Sequence, residues 1–290
     1  MTPFRADGGI DDEALRRLLD KQAEGGADYI VVLGTTGEAA TLTRAEKRHV
    51  ITTVTEYMHG RLPLVLGLGG NNTAAVVEEL AELAPLLTAH FSAILSVCPY
   101  YNKPSQEGLF RHFKAVAEAS PVPVILYNVP GRTGVNMQPE TVMRLREAVP
   151  ERIIGIKEAS GDTAQIRRLI SMAEADKAKT GGVRLSVISG DDGITAELMD
   201  AGADGLISVA ANAFPEAFRR IVHQHDHSLQ QKYANMVRLL FAEGNPAGIK
   251  SVLAAQGMAE NILRLPLVAN SESVQEDIRQ ELKQLENTDN

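Results

Sequence analysis

Two side chains at the ends of apolar runs could act together on a carbonyl substrate. Lys157 ends the run of residues 153–156, so its amine would be held partly away from water. Desolvation lowers the pKa of an amine and makes it a nucleophile toward carbonyl groups, as Schiff-base catalysis requires. The alternative reading is a structural ion pair with Glu158 or another carboxylate.

Tyr127 lies at the end of a second run of the same kind, over residues 124–128, just before Asn128. If the two runs are neighbouring strands, its phenol would lie beside the Lys157 amine and could transfer protons while a carbinolamine forms and breaks down. The alternative is a half-buried tyrosine that packs its ring and hydrogen-bonds its hydroxyl.

Two further segments offer groups that bind carboxylates. Thr35 and Thr36 lie between glycines, where two hydroxyls and nearby backbone N–H groups could hold a carboxylate or relay a proton. Arg132 lies in a loop rich in glycine and proline, where a guanidinium suits bidentate capture of a carboxylate. The alternatives are a helix-capping hydroxyl for the threonines and a surface ion pair for Arg132.

The elements that must position these residues are short apolar runs, each ending at Gly, Pro, Asn or a polar residue. Such runs are typical of strands buried on both faces of a parallel sheet. Seven are visible, at residues 29–33, 64–66, 93–97, 124–128, 153–157, 185–190 and 205–209. Most ends recur at intervals of about 30 residues, the size of a strand-plus-helix unit. An open doubly wound sheet is the alternative, but so even a repeat favours an α/β protein with a (β/α)₈ (TIM) barrel.

In such barrels the active site lies at the C-terminal ends of the strands. Both threonines, Tyr127 and Lys157 fall there, and Arg132 lies in the loop that follows Tyr127. One period before Gly34, where the first run ends, lies residue 4. We therefore expect residues 1–4 to be the end of a shortened first strand, with a truncated or misassigned start. A helix capped by Asp12 should follow, ending at Gly25.

After Pro215 the pattern becomes helical, at residues 215–226, 229–242, 246–256 and from 271 onward. The predicted domains are a catalytic barrel over 1–225 and a C-terminal helical subdomain over 226–290.

Composition excludes several classes of protein. The 290 residues carry a net charge of −8, which argues against a nucleic-acid surface. No apolar run approaches a membrane span, and no signal peptide is visible. The single cysteine, Cys98, predicts an inert buried thiol and a cytoplasmic location.

Three other patterns carry little weight. The glycine-rich stretch 67–70 lacks the acid that a dinucleotide site needs about 20 residues further on. Asp191 and Asp192 are expected to cap the next helix rather than bind a metal. A solvated segment is the better reading of His223, His225 and His227 than a metal site.

Six motifs span nearly the whole chain: Gly34-Thr35-Thr36-Gly37-Glu38, Pro99-Tyr100-Tyr101-Asn102, Leu126-Tyr127-Asn128-Val129-Pro130-Gly131-Arg132-Thr133, Gly155-Ile156-Lys157-Glu158-Ala159-Ser160-Gly161-Asp162, Ser189-Gly190-Asp191-Asp192 and Gly205-Leu206-Ile207-Ser208-Val209. In this order they resemble the motifs of the dihydrodipicolinate synthase family of pyruvate-dependent class I aldolases. Together they are far more specific than any one alone.

The resemblance implies a lyase of lysine and diaminopimelate biosynthesis that condenses pyruvate with L-aspartate 4-semialdehyde to give 4-hydroxy-tetrahydrodipicolinate. Lys157 would form a Schiff base with pyruvate. Tyr127, Thr35 and Tyr101 would form a proton relay, with Tyr101 reaching into a neighbouring subunit. By the same resemblance, Thr36 would hold the pyruvate carboxylate, Arg132 would bind the carboxylate of the aldehyde, and Gly190 and Ile207 would line the pocket.

The resemblance also implies a homotetramer built as a pair of tight dimers. It implies no metal and no nucleotide cofactor, because the lysine itself serves as the electron sink.

Two alternatives remain within this superfamily. N-acetylneuraminate lyases and sugar-acid aldolases or dehydratases share the lysine and the tyrosine, but typically carry Ser after the first glycine of the 34–38 motif or lack an arginine matching Arg132. A catalytically silent pyruvate-binding paralogue would tolerate loss of Lys157, Tyr127 or Arg132, and all three are present.

One departure from the family concerns feedback inhibition. Lysine-inhibited relatives commonly place Ser, two His and Glu around the effector pocket, where this sequence has Ala39, Arg44, Lys47 and Ala75, although Asn71 and Tyr100 remain. Two added cations should repel a cationic effector. Weak or absent inhibition by lysine is therefore expected.

Overall fold

A computed structural model describes residues 1–287. The chain divides into two compact units, which we call the terminal unit (Met1–Leu62 with Ser208–Asn290) and the central unit (Pro63–Ile207). The last three residues of the predicted C-terminal subdomain lie outside the described residues. The predicted domain division at residue 225 stays a prediction.

Strands form where the apolar runs predict them. They are β1 (Ile30–Val32) in the terminal unit and, in the central unit, β2 (Leu64–Gly67), β3 (Ala93–Val97), β4 (Val124–Asn128), β5 (Ile153–Glu158), β6 (Ser186–Ser189) and β7 (Gly205–Leu206). Within the central unit each strand pairs in parallel with the next along the chain. Every residue of β4 is buried, as expected of a strand covered on both faces.

Strand β7 is shorter than predicted, because it ends at Leu206 instead of continuing to residue 209. The backbone turns from Ser208, whose Oγ accepts a hydrogen bond from Ala211 N at 2.7 Å. This bond leads into the 3₁₀ turn Ala210–Asn212. A side chain that bonds to its own backbone competes with strand pairing.

Helices connect the strands of the central unit. They are α3 (Thr73–His90), α4 (Gln106–Ala119), α5 (Pro130–Thr133), α6 (Pro139–Ala148), α7 (Thr163–Thr180) and α8 (Thr195–Asp200). Side-chain caps set three of the starts: Asn72 accepts from Ala74 N and Ala75 N before α3, Ser105 accepts from Gly108 N before α4, and Asp162 accepts from Gln165 N before α7.

The terminal unit is mainly helical. It contains α1 (Asp12–Glu24), α2 (Arg44–Met58), α9 (Pro215–Gln224), α10 (His227–Phe241), α11 (Ala247–Ala255) and α12 (Glu272–Asn287). The four C-terminal helices confirm the helical pattern after Pro215. Helix α1 is capped by Asp11, whose side chain accepts from Ala14 N, so the choice of Asp12 was wrong by one residue. Asp12 lies inside the first turn, where an acid still favours the helix dipole.

At residues 1–4, where the end of a shortened first strand is expected, the backbone forms a single bridge rather than an extended strand. Phe4 makes an isolated antiparallel bridge with Ile10. Thr2 and Phe4 are both buried. The Thr2 hydroxyl donates to the carbonyl of Gly37 at 2.7 Å, which ties this segment to the threonine turn described below.

Among the described residues, no helix is both long enough and apolar enough to cross a membrane.

Candidate active site

The central unit brings Lys157 and Tyr127 together. The two residues are direct partners in the β4–β5 register, and the Lys157 Nζ atom lies 4.3 Å from the centroid of the Tyr127 ring. Both side chains are buried, with 9% of Lys157 and 6% of Tyr127 exposed. An ammonium over an aromatic face is attracted by the ring quadrupole. The predicted proximity of amine and phenol side chain is therefore present.

Glu158 does not serve as the ionic partner that the alternative reading of Lys157 requires. Successive residues of a strand point to opposite faces, and the Glu158 carboxylate accepts hydrogen bonds from Asn128 Nδ2 at 3.0 Å, Ser160 N at 2.9 Å and Gln165 Nε2 at 3.2 Å. These donors occupy the carboxylate on the face away from Lys157.

Gly190 makes room for the lysine. A Cβ atom at this position would lie 2.6 Å from the Cβ of Ala159 and 3.0 Å from the Cε of Lys157. The Gly190 N–H donates to the carbonyl of Glu158 at 2.8 Å, which holds the chain close to β5. A glycine is needed here because of this close approach.

Ile207, the other predicted lining residue, follows β7 directly. Its N–H donates to the carbonyl of Ser189 at 2.9 Å, so its backbone is aligned with the end of β6. The Ile207 side chain is half-buried. Gly190 and Ile207 therefore lie next to each other along the strand ends, as their assignment to one pocket requires.

Arg132 lies on the one-turn helix α5, and its side chain is exposed. The turn is held by Thr133, whose hydroxyl bonds to the carbonyls of Val129 at 3.2 Å and Val135 at 3.0 Å. Gly134 ends the helix with φ of 73°, a left-handed conformation that glycine adopts at no steric cost. The guanidinium is thus presented from a rigid turn.

Tyr101 is the most unusual of the predicted site residues. Its side chain is 89% exposed and its φ is 73°, which is costly for an aromatic residue. Its N–H donates to the carbonyl of Thr133 at 3.3 Å, so the Tyr101 turn rests against the turn that carries Arg132. The structure therefore brings the backbones of these two predicted residues together while leaving the phenol exposed.

Thr35 and Thr36 lie in the terminal unit, in a 3₁₀ turn that spans Thr35–Gly37. Thr35 is exposed. The Thr36 hydroxyl accepts a hydrogen bond from Asn245 Nδ2 at 3.0 Å. The turn ends at Glu38, which has φ of 51° and a buried side chain.

The sequence reasoning missed a buried polar network beside the lysine. Asn128 Nδ2 donates to Glu158 and also to Asn136 Oδ1 at 2.7 Å, and Asn136 Nδ2 donates to Gln165 Oε1 at 2.9 Å. Burial raises the pKa of the Glu158 carboxyl above its usual range, although its hydrogen bonds oppose the shift. One signal was available: Asn128 and Glu158 directly follow Tyr127 and Lys157 in neighbouring predicted strands.

The structure also shows the surroundings of Cys98, Asp191 and His223. Burial, with a smaller effect of Glu158, raises the pKa of the Cys98 thiol to about 12, in keeping with the predicted inert thiol. Asp191 accepts from Gly193 N at 2.8 Å in the turn before α8. The expectation that Asp191 or Asp192 caps the next helix is wrong, because α8 begins after Ile194 without a side-chain cap. His223 pairs with Asp28. Residues 1–287 contain no group of three potential metal-binding side chains.

Comparison with known proteins places the chain in a family. The model of the dihydrodipicolinate synthetase family matches residues 1–285. A relative from Flavobacterium psychrophilum, a 4-hydroxy-tetrahydrodipicolinate synthase, is 48% identical over 97% of this chain and 93% of its own length. The chain therefore belongs to the dihydrodipicolinate synthetase family.

Two solved structures extend the comparison to the fold. The dihydrodipicolinate synthase of Acinetobacter baumannii, crystallised with pyruvate, matches with a TM-score of 0.90 and 40% identity, covering 99% of this chain and 96% of the other. A monomeric dihydrodipicolinate synthase variant matches with a TM-score of 0.91 and 36% identity, covering 99% and 94%. These matches confirm the predicted α/β fold, a (β/α)₈ barrel with C-terminal helices.

Proposed function

We propose that this chain is a lyase that condenses pyruvate with L-aspartate 4-semialdehyde, through a Schiff base at Lys157, to give 4-hydroxy-tetrahydrodipicolinate. The observation that carries the proposal is the buried amine of Lys157 at 4.3 Å from the ring of Tyr127, with Gly190 leaving the space beside it. Family membership and the names of full-length relatives support the same reaction.

The chemistry begins with the Lys157 amine. Its neutral form attacks the ketone carbon of pyruvate, and the carbinolamine loses water to give an iminium ion. Loss of a methyl proton then gives an enamine, with the protonated imine nitrogen as the electron sink. Tyr127, with Thr35 and Tyr101, is proposed to carry these protons.

The enamine carbon then attacks the aldehyde of the second substrate and forms the new carbon–carbon bond. The substrate's own amine displaces Lys157 and closes the ring, which regenerates the free lysine. This scheme needs neither a metal nor a nucleotide cofactor.

The two carboxylates of the substrates need separate partners. Thr36, in the threonine turn, is proposed to hold the pyruvate carboxylate through neutral hydrogen bonds. Arg132 is proposed to bind the carboxylate of the aldehyde, since a guanidinium offers two parallel donors. Gly190 and Ile207 are proposed to line the pocket.

Borohydride reduction in the presence of pyruvate tests the proposal. The protein should gain a covalent adduct, detectable by intact mass and localised to Lys157 by peptide mapping. The Lys157→Ala variant is the control and should gain none. A parent protein without an adduct, indistinguishable from Lys157→Ala, would exclude Schiff-base chemistry and leave the silent paralogue.

The second substrate is identified by pairing pyruvate with L-aspartate 4-semialdehyde or with N-acetylmannosamine. Turnover with the semialdehyde is expected, because both threonines and Arg132 are present. Turnover with the sugar alone would reject the synthase and favour an N-acetylneuraminate lyase.

The assembly and location remain proposals as well. We propose a homotetramer made of two dimers, in which Tyr101 enters a neighbouring subunit, and a cytoplasmic location. Native mass spectrometry tests the first proposal, and a purely monomeric protein with full activity would contradict it.

A further inference from the structure

The terminal unit contains two buried charges that the proposed reaction does not use. The Glu38 carboxylate and the Lys250 ammonium form an ion pair, and both side chains are completely buried. Lys250 lies in α11, whereas Glu38 directly follows the threonine turn. The ion pair therefore links α11 to the segment that carries Thr35 and Thr36.

The surroundings of the pair are specific. Lys250 Nζ also donates to the carbonyl of Ile262 at 2.7 Å and lies 4.1 Å from the centroid of the Phe4 ring. The Arg264 guanidinium carbon lies 4.4 Å from the centroid of the same ring. Glu38 Oε2 accepts from the backbone N–H of Arg264 at 3.3 Å. Each charged group thus has more than one partner.

The backbone of Glu38 shows that its side chain matters. With φ of 51°, this position would be cheapest for glycine, and a residue with a Cβ costs about 1 kcal/mol or more there. The Glu38 side chain, which is completely buried and ion-paired, offsets the conformational cost of this positive φ. A glycine would lose both the pair with Lys250 and the hydrogen bond from the Arg264 N–H.

Stability alone does not explain the pair. Removing two charges from water costs several kcal/mol per ion, and apolar replacements of similar volume are often equally stable or better. Burial lowers the pKa of Lys250, and Glu38 opposes that shift. A buried pair of this kind instead defines one geometry, because its partners must meet at hydrogen-bond distance.

A second link connects the same two segments. Asn245, just before α11, donates to the Thr36 hydroxyl at 3.0 Å. From another side, the Thr2 hydroxyl donates to the Gly37 carbonyl at 2.7 Å. The threonine turn is therefore held at three successive residues, Thr36, Gly37 and Glu38.

We propose that Glu38 and Lys250 are positioning residues, which hold the threonine turn in the geometry that binds the pyruvate carboxylate. Neither residue needs to touch substrate. This inference rests on the proposed function, since it assigns a purpose to the geometry of Thr35 and Thr36.

The test replaces the pair by apolar residues of similar shape, in the double variant Lys250→Met/Glu38→Leu. The matched control is Lys114→Met/Glu118→Leu, which makes the same changes in an exposed ion pair of α4. KM for pyruvate, kcat, thermal unfolding and the borohydride-trapped adduct are measured for the parent and both variants.

If the pair positions the threonine turn, its replacement should change KM for pyruvate but neither folding nor adduct formation at saturating pyruvate. The buried double variant should stay folded and form the adduct at saturating pyruvate, but its KM for pyruvate should rise about tenfold, equivalent to about 1.4 kcal/mol of lost binding. The KM for pyruvate of the control variant should stay within twofold of the parent value. A folded double variant whose KM and kcat both match the parent overturns the inference.

Two further outcomes are decisive. If the double variant does not fold, Glu38→Gln replaces it, because Gln keeps the shape and one acceptor oxygen. A folded Glu38→Gln protein with unchanged KM for pyruvate overturns the inference, and a severalfold higher KM supports it. If the parent itself forms no adduct, the proposed function fails and the inference fails with it, whereas a parent adduct with unchanged variant kinetics rejects the inference alone.

Discussion

At the scale of single residues, the space around Lys157 is controlled by one missing side chain. The Cε of Lys157 would lie 3.0 Å from a Cβ at position 190, closer than ordinary van der Waals contact allows. Any larger residue must move the amine or the strand end. Reactivity at Lys157 should therefore depend on Gly190 although glycine has no functional group.

The variant Gly190→Ala should form the pyruvate adduct about tenfold more slowly, since a small misplacement of a nucleophile is costly. A time course of borohydride trapping measures this rate. Gly205→Ala is the matched control, because a Cβ there meets no atom within 4 Å. Equal trapping rates in the two variants would show that Gly190 does not shape the lysine site.

Tyr101 offers a second prediction at this scale. Tyr101→Phe keeps the ring and the backbone but removes the phenol hydroxyl that is proposed to relay protons. Turnover should fall while the adduct at Lys157 still forms. Steady-state kinetics together with trapping measure the two effects, and an unchanged turnover rate would remove Tyr101 from the relay.

At the scale of elements, the ends of β4 and β5 are joined by the network around Glu158. Asn128 and Glu158 are register partners, as are Tyr127 and Lys157 one position earlier. The hydrogen bonds of the outer pair therefore keep the inner pair aligned. Asn128 Oδ1 also accepts from Met137 N at 2.9 Å, which anchors the chain beyond the Arg132 turn.

Two carboxylates should give opposite pH dependences of stability. Burial raises the pKa of Glu158 in the folded protein, so its contribution is fully present below the unfolded pKa of about 4.3. That contribution is lost as pH rises through the higher folded pKa. The free energy of unfolding of the parent, relative to Glu158→Gln, should therefore fall as pH rises through this window.

Glu46 supplies the comparison. Hydrogen bonds from Arg264 lower the pKa of Glu46 to about 2, so its contribution is present above the unfolded pKa and is lost as pH falls toward 2. Denaturant titrations of the parent, Glu46→Gln and Glu158→Gln over this pH range measure both effects. If the difference in free energy of unfolding between parent and variant changes with pH in the same direction for both variants, the opposite pKa shifts of Glu46 and Glu158 are contradicted.

Much of the element order could be predicted from the sequence, because apolar runs and their polar ends are local signals. The strand end that presents Lys157 follows from its own run, and so does the end at Tyr127. The partners of Glu158 are not marked by any local pattern: Asn128 is distant in sequence, and pairing it with Glu158 requires the register of the two neighbouring strands as well as their positions. The Lys250–Glu38 pair was missed because its two residues are also distant in sequence and no local pattern marks a buried lysine.

Capping and strand length show a different limit. The start of α1 was predicted one residue late, because Asp11 and Asp12 are equally good caps and only the backbone decides between them. Beyond the early end of β7, the Ser208 hydroxyl accepts a hydrogen bond from Ala211 N as the chain enters a 3₁₀ turn. A hydrogen bond from a side chain to the backbone competes with the backbone hydrogen bonds of a strand. The free-energy difference between the two is small, and the spacing of apolar residues does not predict it.

At the scale of the whole molecule, regulation is the property in which this chain is expected to differ from lysine-inhibited relatives. By the resemblance given in the sequence analysis, Arg44 and Lys47 add two cations at the effector pocket, and Ala39 and Ala75 lack polar side chains there. Millimolar lysine should leave most of the activity, as measured by initial rates at fixed substrate. Half-maximal inhibition below one millimolar would contradict the prediction.

The terminal unit also has a consequence for synthesis on the ribosome. Glu38 and the Arg264 N–H that it accepts from are separated by 226 residues. At common elongation rates of 5–20 residues per second, the glutamate leaves the ribosome roughly 10 to 45 s before this partner exists. The central unit is one continuous stretch of chain and can be translated completely within that interval. During that time the Glu38 carboxylate stays hydrated. A nascent chain therefore has strand β5, which carries Lys157, long before the contacts that hold the threonine turn can form.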